Sequence, residues 1–433
     1  MFICTWTTPI KVKLLYQLFI FLYPKIAWLI SGSNAKAKLW LKGREKIFAH
    51  LTSSFQNNLS PVIWIHCSSL GEFEQGRPLI ETLKKEYTGH KILLTFFSPS
   101  GFEVRKNYEK ADWVYYLPMD SYRHARKFFT IVQPSLILFV KYEFWYYYLN
   151  EAKKRNIPIL LISGIFRKGQ PFFAWYGNFH RQMLLCFTHL FVQNEISVEL
   201  LKSIGLNQNV TISGDTRFDR VIEIAERFEP IEIIDQFIGN SKVIVAGSTW
   251  TEDDEELDHY ANTHREIKFI IAPHEIESER IKECLTFYKY SILFSDFTSK
   301  KAQDISSTNF PNVLIIDNMG LLSKLYHYAT VCYVGGAFGE EGVHNVLEAA
   351  VYNKPVVFGP VYDKYLEAVE LVDTGGGFPV ESALELEKLL DDLFTNEILY
   401  HQSSTLAGNY VKNKAGATRN IIHYIQENRL VIN

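Results

Sequence analysis

The chain has 433 residues, of which 47% are hydrophobic and 21% charged, a composition that excludes a disordered protein. This length favours two domains over a single core. The net charge of −3 conceals an asymmetry: residues 1–50 carry eight lysines and arginines against one glutamate, or +7, which leaves about −10 for the remainder. A basic, apolar start on an acidic body favours an anionic phospholipid surface as partner and argues against nucleic acid.

Five cysteines lie far apart in the sequence and form no C-x-x-C pair. They are Cys4, Cys67, Cys186, Cys284 and Cys332. This spacing argues against a zinc site and against a disulfide framework. It favours reduced thiols in a cytoplasmic protein.

The most hydrophobic stretch is Leu14–Ile30, which Gln17, Pro24 and Lys25 interrupt. It is shorter than the roughly 20 apolar residues that a spanning helix needs. A signal peptide is an alternative, because two lysines precede the apolar run. If the stretch did span, the positive charges after it would keep the following domain cytoplasmic. Interleaved lysines and tryptophans favour attachment along the interface, so we expect residues 1–50 to form a membrane-associated segment.

From about residue 60, short apolar runs alternate with amphipathic stretches. The predicted strands are Val62–Ile65, Ile92–Phe96, Trp113–Tyr116, Leu136–Val140, Ile157–Ile162, Leu190–Val192 and Val210–Ser213. Alternation on this scale predicts a parallel sheet with helices on both faces. We assign residues 51–225 to a Rossmann-like domain.

A second series of the same kind follows a charged stretch without strand alternation, residues 226–241, which we interpret as a linker. Its predicted strands are Val243–Ala246, Phe269–Ala272, Ser291–Phe294, Val313–Ile316, Val331–Val334 and Pro355–Phe358. Residues 226–405 then form a second Rossmann-like domain, and two such halves predict a cleft between them. A final helix, within residues 406–433, is expected to pack back on the first domain.

The stretch His66–Pro78 places a carboxylate where a buried strand ends and a helix begins. Ligands bind at that edge of parallel α/β sheets. Ser69 and Glu72 also fit the S-x-x-E capping box, in which the glutamate only closes the helix start. Glu72 facing a substrate hydroxyl would instead serve as a general base. Spacing alone leaves both interpretations open.

Three turns in the second half combine strand ends with small or polar residues. They are Ser248–Thr249 after the first strand, Asp317–Gly320, and Gly335–Gly336 leading to His344. Glycines and helix N-termini together predict a phosphate site that needs no metal ion. The alternative is that the glycines only pack against a helix and that His344 is a capped surface histidine. Glu348 follows His344 by four residues, which predicts one shared helical face and a contact to ribose hydroxyls. No D-x-D triplet occurs, in keeping with a metal-free design.

Taken together and in order, these segments resemble the 3-deoxy-D-manno-octulosonic acid (Kdo) transferases of lipopolysaccharide synthesis. The resemblance extends over nearly the whole chain. Its blocks are the hydrophobic N-terminus, His66–Glu72, Thr95–Gly101, Glu143–Trp145, Gly214–Asp219, Ser248–Thr249, Asp317–Gly320, Gly342–Glu348 and Phe358–Pro360. Each block is short, but the ordered set is highly specific.

The resemblance implies the α/β GT-B fold and an inverting transfer of Kdo from CMP-Kdo to a lipid A precursor, with no metal and no cofactor. It implies that Glu72 is the general base and Glu143 a second acidic site residue. Residues expected around the donor are Ser248, Thr249, Met319, Gly320, Gly342, His344, Asn345 and Glu348. It also implies the inner membrane of a Gram-negative bacterium, with the catalytic domains on the cytoplasmic side.

Further contacts to donor or acceptor are expected from Ser98, Ser100, Gly101, Arg167, Arg217 and His274. Two departures from the family's pattern affect this set. Ser163–Ile165 stands where members commonly have N-x-R, and Arg167 is near enough to substitute. His274 occupies the place of an arginine that often follows the preceding proline.

The sequence leaves two alternatives open. One is another metal-free GT-B enzyme, such as a UDP-sugar transferase or a UDP-sugar 2-epimerase. The other is a non-catalytic, membrane-bound binder of nucleotide sugars. The intact His66–Glu72 block speaks against both.

Overall fold

A computed structural model of the chain describes residues 8–299 and 310–432, with side chains from residue 12 onward. Cys4 and the start of the predicted 1–50 segment lie outside the described residues, as do 300–309 of the predicted second domain and residue 433. The chain divides into two compact units. The first contains residues up to Arg220 together with those from Gly416 onward, and the second contains Val221–Ala415.

The first unit is built on a seven-stranded sheet in which each pair of neighbouring strands is parallel. Its strands are β1 Val62–Cys67, β2 Lys91–Phe96, β3 Trp113–Tyr116, β4 Pro134–Val140, β5 Ile159–Gly164, β6 His189–Val192 and β7 Val210–Ile212. They appear in the sheet in the order β3-β2-β1-β4-β5-β6-β7. Strands covered on both faces become continuous apolar runs, which is why the central strands such as β1, β5 and β6 could be predicted.

Alternate residues of β1 enter two separate cores. Trp64 packs with Phe128 and Tyr148 on one face, whereas Ile63 and Ile65 belong to the core on the other face. All three are essentially buried. Period-two alternation with both faces covered therefore fixes the register of the central strand.

Helices cover both faces of this sheet. They are α1 Thr8–Ile30, α2 Ala35–Lys42, α3 Ile47–Phe55, α4 Leu70–Glu86, α5 Pro99–Arg105, α6 Tyr122–Val132, α7 Tyr146–Lys154, α8 Asn178–Leu184, α9 Glu195–Ser203 and α10 Thr216–Glu226. Polar caps begin several of them. Ser121, for example, accepts a hydrogen bond from the His124 backbone N–H at 3.2 Å at the start of α6.

Helix α1 is continuous through Pro24. Over Val12–Ile30 it is 19 residues long with a mean hydropathy of 1.3, and 11% of that apolar window is buried. By length and composition alone α1 is able to cross a membrane, and no other helix in residues 8–299 and 310–432 meets that criterion. It packs against α2 and α8.

The second unit repeats the architecture. Its strands are β8 Val243–Thr249, β9 Lys268–Pro273, β10 Ser291–Leu293, β11 Val313–Ile315, β12 Val331–Val334, β13 Val356–Phe358 and β14 Gly377–Pro379. They form a second parallel sheet in the order β10-β11-β9-β8-β12-β13-β14. The edge strand β14 was not predicted, because its three residues include a glycine and a proline, which strands disfavour.

The helices of the second unit are α11 Glu232–Ile238, α12 Thr251–Thr263, α13 Ser278–Phe287, α14 Phe294–Thr298, α15 Leu322–Leu325, α16 Leu347–Ala350, α17 Leu366–Asp373, α18 Ala383–Thr395 and α19 Glu397–Lys414. The stretch interpreted as a linker, 226–241, contains α11. The division between the units falls at Arg220, within α10 and close to the predicted boundary at 225.

The last helix of the chain, α20, spans Ala417–Glu427 and belongs to the first unit. The prediction of one final helix within residues 406–433 is wrong, because Gly416 has φ +110° and separates α19 from α20. Ile421 and Ile425 lie in the same core as Ile63. Asp219 accepts backbone N–H bonds from Gly416 at 2.5 Å and Thr418 at 2.6 Å, so it caps this helix.

Candidate functional site

The first unit reverses its strand order at β1, which lies between β2 and β4. Glu72 follows β1, Ser98 follows β2 and Glu143 follows β4. These three residues therefore stand at the carboxyl ends of adjacent parallel strands. Ligands of open α/β sheets bind beside such a reversal.

Glu72 closes the start of α4. Its Oε2 accepts hydrogen bonds from the Ser69 backbone N–H, at 2.9 Å, and from the Ser69 hydroxyl. The capping box is thus present in the structure. Glu72 is half-buried, and its other oxygen, Oε1, accepts no hydrogen bond from the described residues. Because one oxygen serves as the cap and the other is available, the two interpretations of this residue are compatible.

His66 lies buried on β1 and is held through both ring nitrogens. Nδ1 lies 3.1 Å from the backbone oxygen of Thr95 and 2.9 Å from its hydroxyl. The indole Nε1–H of Trp145 donates to Nε2 of His66 at 3.1 Å. A carbonyl can only accept and an indole N–H can only donate, so the geometry assigns the proton of the neutral ring to Nδ1.

Glu143 approaches the same imidazole. Its Oε2 lies 3.4 Å from Nε2 of His66, and its side chain is 15% exposed. Trp145 and Glu143 therefore contact one ring nitrogen. The chain before α7 is not helical, and Trp145 itself is extended, with φ −93° and ψ 103°. Residues two apart in extended backbone project to the same side, which explains the E-x-W spacing.

The participation of His66 and Trp145 was not predicted, although both lie in the motifs singled out above. The signal was the pairing of a strand-end histidine with an E-x-W segment that follows another strand. Sequence alone does not show that β1 and β4 are neighbours, with His66 opposite Phe139. That adjacency brings the segments together.

Ser98, Ser100 and Gly101 form the start of α5. The Ser98 hydroxyl accepts a hydrogen bond from the Ser100 backbone N–H at 3.3 Å. A Cβ on Gly101 would lie 2.3 Å from the Phe96 ring and 3.0 Å from the Ser69 carbonyl carbon. Glycine is therefore required for α5 to approach the turn that holds Glu72.

The two arginines of interest differ in their surroundings. Arg217 donates from Nε to Asp215 at 2.9 Å. Burial acts to raise the pKa of Asp215, but the charge and hydrogen bonds of Arg217 outweigh it and hold that pKa below its usual value. Arg167 is exposed. Burial and the charge of Glu72 raise the pKa of Tyr142, while the charge of Arg167 opposes them, so both groups act on Tyr142.

The second unit has its own reversal, at β8 between β9 and β12. Ser248 has φ +56° there, an uncommon conformation for a residue with a side chain. Thr249 is buried, and its Oγ1 has no hydrogen-bond partner within the described residues. A buried hydroxyl without a partner is costly, so this atom is suited to a bound ligand.

Gly335 and Gly336 follow β12 and pack on this turn. A Cβ on Gly335 would lie 2.5 Å from the Ser248 carbonyl oxygen. Gly336 has φ +93°, and its backbone N–H donates to Asp253 at 2.8 Å. The glycine pair thus allows close backbone approach at the predicted donor site.

Three rings stack beside these glycines. Trp250 and His274 have centroids 4.8 Å apart, and His274 and His344 lie 4.5 Å apart. The Trp250 indole also donates to Nε2 of His344 at 3.1 Å. Burial, followed by the charge of His274, lowers the pKa of His344 to about 4. His344 is therefore neutral at physiological pH.

The expectation that His344 and Glu348 share a helical face is wrong. Helix α16 begins only at Leu347, and Gly342, with φ +85°, bends the chain before it. Asn345 is the residue that contacts Glu348, donating from Nδ2 to Oε1 at 2.9 Å. Asparagine favours such capping contacts over continued helix, which explains the late start.

Met319 and Gly320 lie on the loop after β11, which β9 separates from β8. Met319 is 72% exposed, and a Cβ on Gly320 would meet no atom within 4 Å. The structure thus places them at the same sheet edge as Thr249 but after a more distant strand. Across residues 8–299 and 310–432, no cluster of three or more His, Cys, Asp or Glu side chains is arranged to hold a metal ion. Cys67, Cys186, Cys284 and Cys332 are free and buried.

Comparison with known proteins identifies proteins that are similar to this chain. The family model described as 3-deoxy-D-manno-octulosonic-acid transferase (kdotransferase) matches residues 42–220. A bifunctional glycosyltransferase/methyltransferase of Fusobacterium nucleatum is 29% identical over 384 residues, covering 85% of this chain but 55% of that protein. This chain thus spans about half the length of that relative.

A 3-deoxy-D-manno-octulosonic acid transferase of Aquifex aeolicus is 28% identical over 352 residues, covering 78% of this chain and 87% of the relative. Among solved structures, the UDP-GlcNAc 2-epimerase of Neisseria meningitidis has a TM-score of 0.59 at 17% identity, covering 85% of this chain and 100% of that one. The latter likeness shows the fold, and it confirms the predicted GT-B class with two parallel-sheet α/β domains. Residues 42–220 thus match the 3-deoxy-D-manno-octulosonic acid transferase family model, and over most of its length the chain is similar to transferases of that name.

Proposed function

We propose that this protein transfers Kdo from CMP-Kdo to a lipid A precursor, inverting the anomeric centre without a metal ion. The observation that carries the proposal is the geometry of Glu72. Its carboxylate stands at the carboxyl end of β1, anchored through Oε2 while Oε1 is available. An anchored base with one available oxygen is suited to take a proton from a bound hydroxyl.

In the proposed reaction, Oε1 of Glu72 accepts the proton of the acceptor hydroxyl. The acceptor oxygen then forms a bond to the anomeric carbon of Kdo from the face opposite the phosphate. The bond between that carbon and the phosphate oxygen breaks, and CMP departs with the electron pair. Glu143, fixed beside His66, orients the acceptor or the sugar.

The first unit supplies the acceptor-binding domain in this proposal, with Ser98, Ser100, Gly101, Arg167 and Arg217 as contacts to acceptor or donor. The second unit supplies the CMP-sugar domain. The unpartnered hydroxyl of Thr249 and the backbone at Gly335–Gly336 support placing a phosphate at the start of α12. The other donor contacts are Ser248, Met319, Gly320, Gly342, His344, Asn345 and Glu348, with His274 in contact with the base or the phosphate.

We further propose that α1 attaches the protein to anionic phospholipid on the cytoplasmic face of the inner membrane. Apolar side chains such as Leu15 and Trp28 are 64% and 69% exposed on this helix. Lysines follow it at positions 36, 38, 42 and 46. Exposed apolar side chains next to positive charge favour an anionic bilayer surface.

The decisive experiment offers purified full-length protein CMP-Kdo and a tetra-acylated lipid A precursor. We expect Glu72→Gln, which keeps a capping oxygen but cannot take a proton, to lower kcat by at least about a hundredfold. Glu74→Gln, two residues along the same helix, is the matched control and should stay within a few-fold of wild type. Absence of transfer by the wild type, or equal transfer by Glu72→Gln, would refute the proposal. Turnover of UDP-GlcNAc instead would establish the UDP-sugar alternative.

A further inference from the structure

A groove in the first unit adjoins the turn that holds Glu72. It has a volume of about 400 Å³ and lies between α1, α2 and the start of α5. One wall consists of apolar side chains of α1 between Phe19 and Ile30, the other of Ala37 and Trp40, and Ser98 and Pro99 contribute to the lining. We call it the α1–α2 groove. Its volume falls in the range of roughly 300–1,000 Å³ that ligand pockets occupy.

One residue of the groove's lining carries an unsatisfied donor. Trp40 is 4% exposed, and its indole Nε1 has no hydrogen-bond partner among the described residues. Its ring is held in place by Tyr23, with centroids 5.0 Å apart, and by the guanidinium of Arg44, 4.0 Å from the ring centroid. A buried N–H without a partner is unfavourable, so an occupant that carries an oxygen acceptor would be preferred to pure hydrocarbon.

The Ser98 end of the groove is linked to the candidate base through backbone hydrogen bonds. Backbone N–H groups of Phe97 and Ser98 donate to the Ser68 carbonyl oxygen at 3.2 and 2.7 Å. The next residue, Ser69, donates its own N–H to Glu72. One turn therefore joins the Ser98 part of the groove to the carboxylate that acts on the acceptor hydroxyl.

The rim carries positive charge. Lys36 lines the groove beside Asn34, whose side chain caps α2 by accepting from the Ala37 N–H at 2.9 Å. A ligand matched to this lining has a long apolar chain, a carbonyl or hydroxyl oxygen near the chain, and an anionic group at the surface. A phosphorylated, acylated lipid combines all three.

We propose that the α1–α2 groove holds one acyl chain of the acceptor lipid and thereby positions its sugar hydroxyl at Glu72. This inference rests on the proposed function and names the acceptor feature that the first unit recognises. In it, the Trp40 indole donates to an ester, amide or hydroxyl oxygen of the chain, and Lys36 pairs with a phosphate. The groove then selects acylated acceptors over their deacylated sugar backbone.

The test compares acceptors within each variant. Ala37→Phe fills the groove at a position that is 9% exposed, and Trp40→Phe removes only the N–H. The readout is the ratio of kcat/KM for the tetra-acylated precursor to that for its deacylated backbone, in detergent solution. We expect Ala37→Phe to lower this ratio at least about tenfold, the loss of roughly two buried methylenes, and Trp40→Phe to lower it by about three- to tenfold. Leu59→Phe, at a fully exposed position outside the groove, is the control and should leave the ratio unchanged.

A second measurement does not depend on catalysis. A precursor with a diazirine on one acyl chain is photolysed with the full-length protein, and we expect labelled peptides from α1 and α2 in the wild type but not in Ala37→Phe. Labelling elsewhere, or an unchanged ratio in a variant that melts like the wild type, would overturn the inference. Equal labelling of the groove by a diazirine-tagged phospholipid would show a bilayer contact and would also overturn it. If the wild type labels in the groove but transfers no Kdo, the proposed function fails while the lipid site stands.

Discussion

Trp145 donates its indole N–H to Nε2 of His66 across 3.1 Å, joining residues 79 positions apart in the sequence. The same nitrogen lies 3.4 Å from Glu143, so the bond fixes an imidazole that a candidate site carboxylate contacts. Residues held by such supporting contacts place reacting groups more accurately than residues on free loops.

Trp145→Phe tests the importance of this bond. Phenylalanine retains the ring contact with Phe97, whose centroid is 4.7 Å away, but leaves a buried acceptor on His66 unpaired. We expect about 1–3 kcal/mol of lost stability and on the order of a tenfold fall in kcat. Trp175→Phe, at a position that is 85% exposed, is the control. Wild-type activity and melting temperature in Trp145→Phe would show that the bond is dispensable.

Gly336→Ala tests the close backbone approach at the predicted donor site. The residue has φ +93°, and an added Cβ would lie 2.6 Å from the Gly342 carbonyl oxygen. Conformational strain of about 1–2 kcal/mol is expected from the angle alone, with a further rise in the KM for CMP-Kdo from the clash. Gly205→Ala has a similar φ of +86° with open space around it. It should show the strain without the change in KM, and equal KM values in both variants would contradict the prediction.

Asp120 links α1 to α7, and its removal should loosen both. The carboxylate accepts the hydroxyl of Tyr16 and the backbone N–H groups of Tyr147, at 2.9 Å, and Tyr148, at 3.0 Å. Asp120→Ala leaves these donors unpaired in a buried place, so we expect a loss of about 2–4 kcal/mol. Hydrogen exchange should show faster opening of α7 in the variant. Asp363→Ala, on a loop of the second unit, is the control; unchanged exchange in α7 would argue against the link.

Stability should fall with acidification because of His344. Its pKa is lowered from 6.5 to about 4, first by burial and then by His274. Above pH 6.5 the imidazole is neutral in both folded and unfolded chains, so the free energy of unfolding has its full value there. Between pH 6.5 and 4 the unfolded chain takes up the proton more readily, so stability is lost as the pH falls, by about 1–2 kcal/mol after allowance for solvent screening.

The measurement for His344 is the melting temperature at pH 7.5 and pH 5. His344→Gln should be less sensitive to the change than the wild type. His401→Gln, at an exposed position, should behave like the wild type. Equal sensitivity in the wild type and His344→Gln would show that this histidine does not contribute.

Much of the fold could be predicted from local pattern. Thirteen of the strands in the described residues correspond to predicted apolar runs. The central strands are the clearest cases, because strands buried on both faces leave few polar positions. The prediction failed where a backbone conformation, not a composition, decides the outcome. Gly416 ends α19, and Gly342 keeps His344 out of α16, although both neighbourhoods have the composition of helices.

The candidate site, like the fold, could be predicted from the sequence only in part. Glu72 could be placed at a strand end and assigned to a capping box from four consecutive residues. Whether Oε1 of Glu72 is available could not be predicted, because that depends on which residues surround it in the folded chain. The contact of His66 with Trp145 and Glu143 likewise depends on β1 and β4 being neighbours in the sheet.

The sequence by itself determined the two parallel α/β halves, the strand-end positions of Glu72 and Glu143, and the resemblance to the Kdo transferases. These follow from local periodicity and from ordered motifs, which are properties of nearby residues. Only the tertiary structure decided which oxygen of Glu72 is engaged and which nitrogen of His66 carries the proton. It alone also shows that a groove lined in part by Trp40, whose indole is unpaired, adjoins the turn that holds Glu72. Those features depend on contacts between residues that are distant in the chain, and strand order in the sheet brings such residues together.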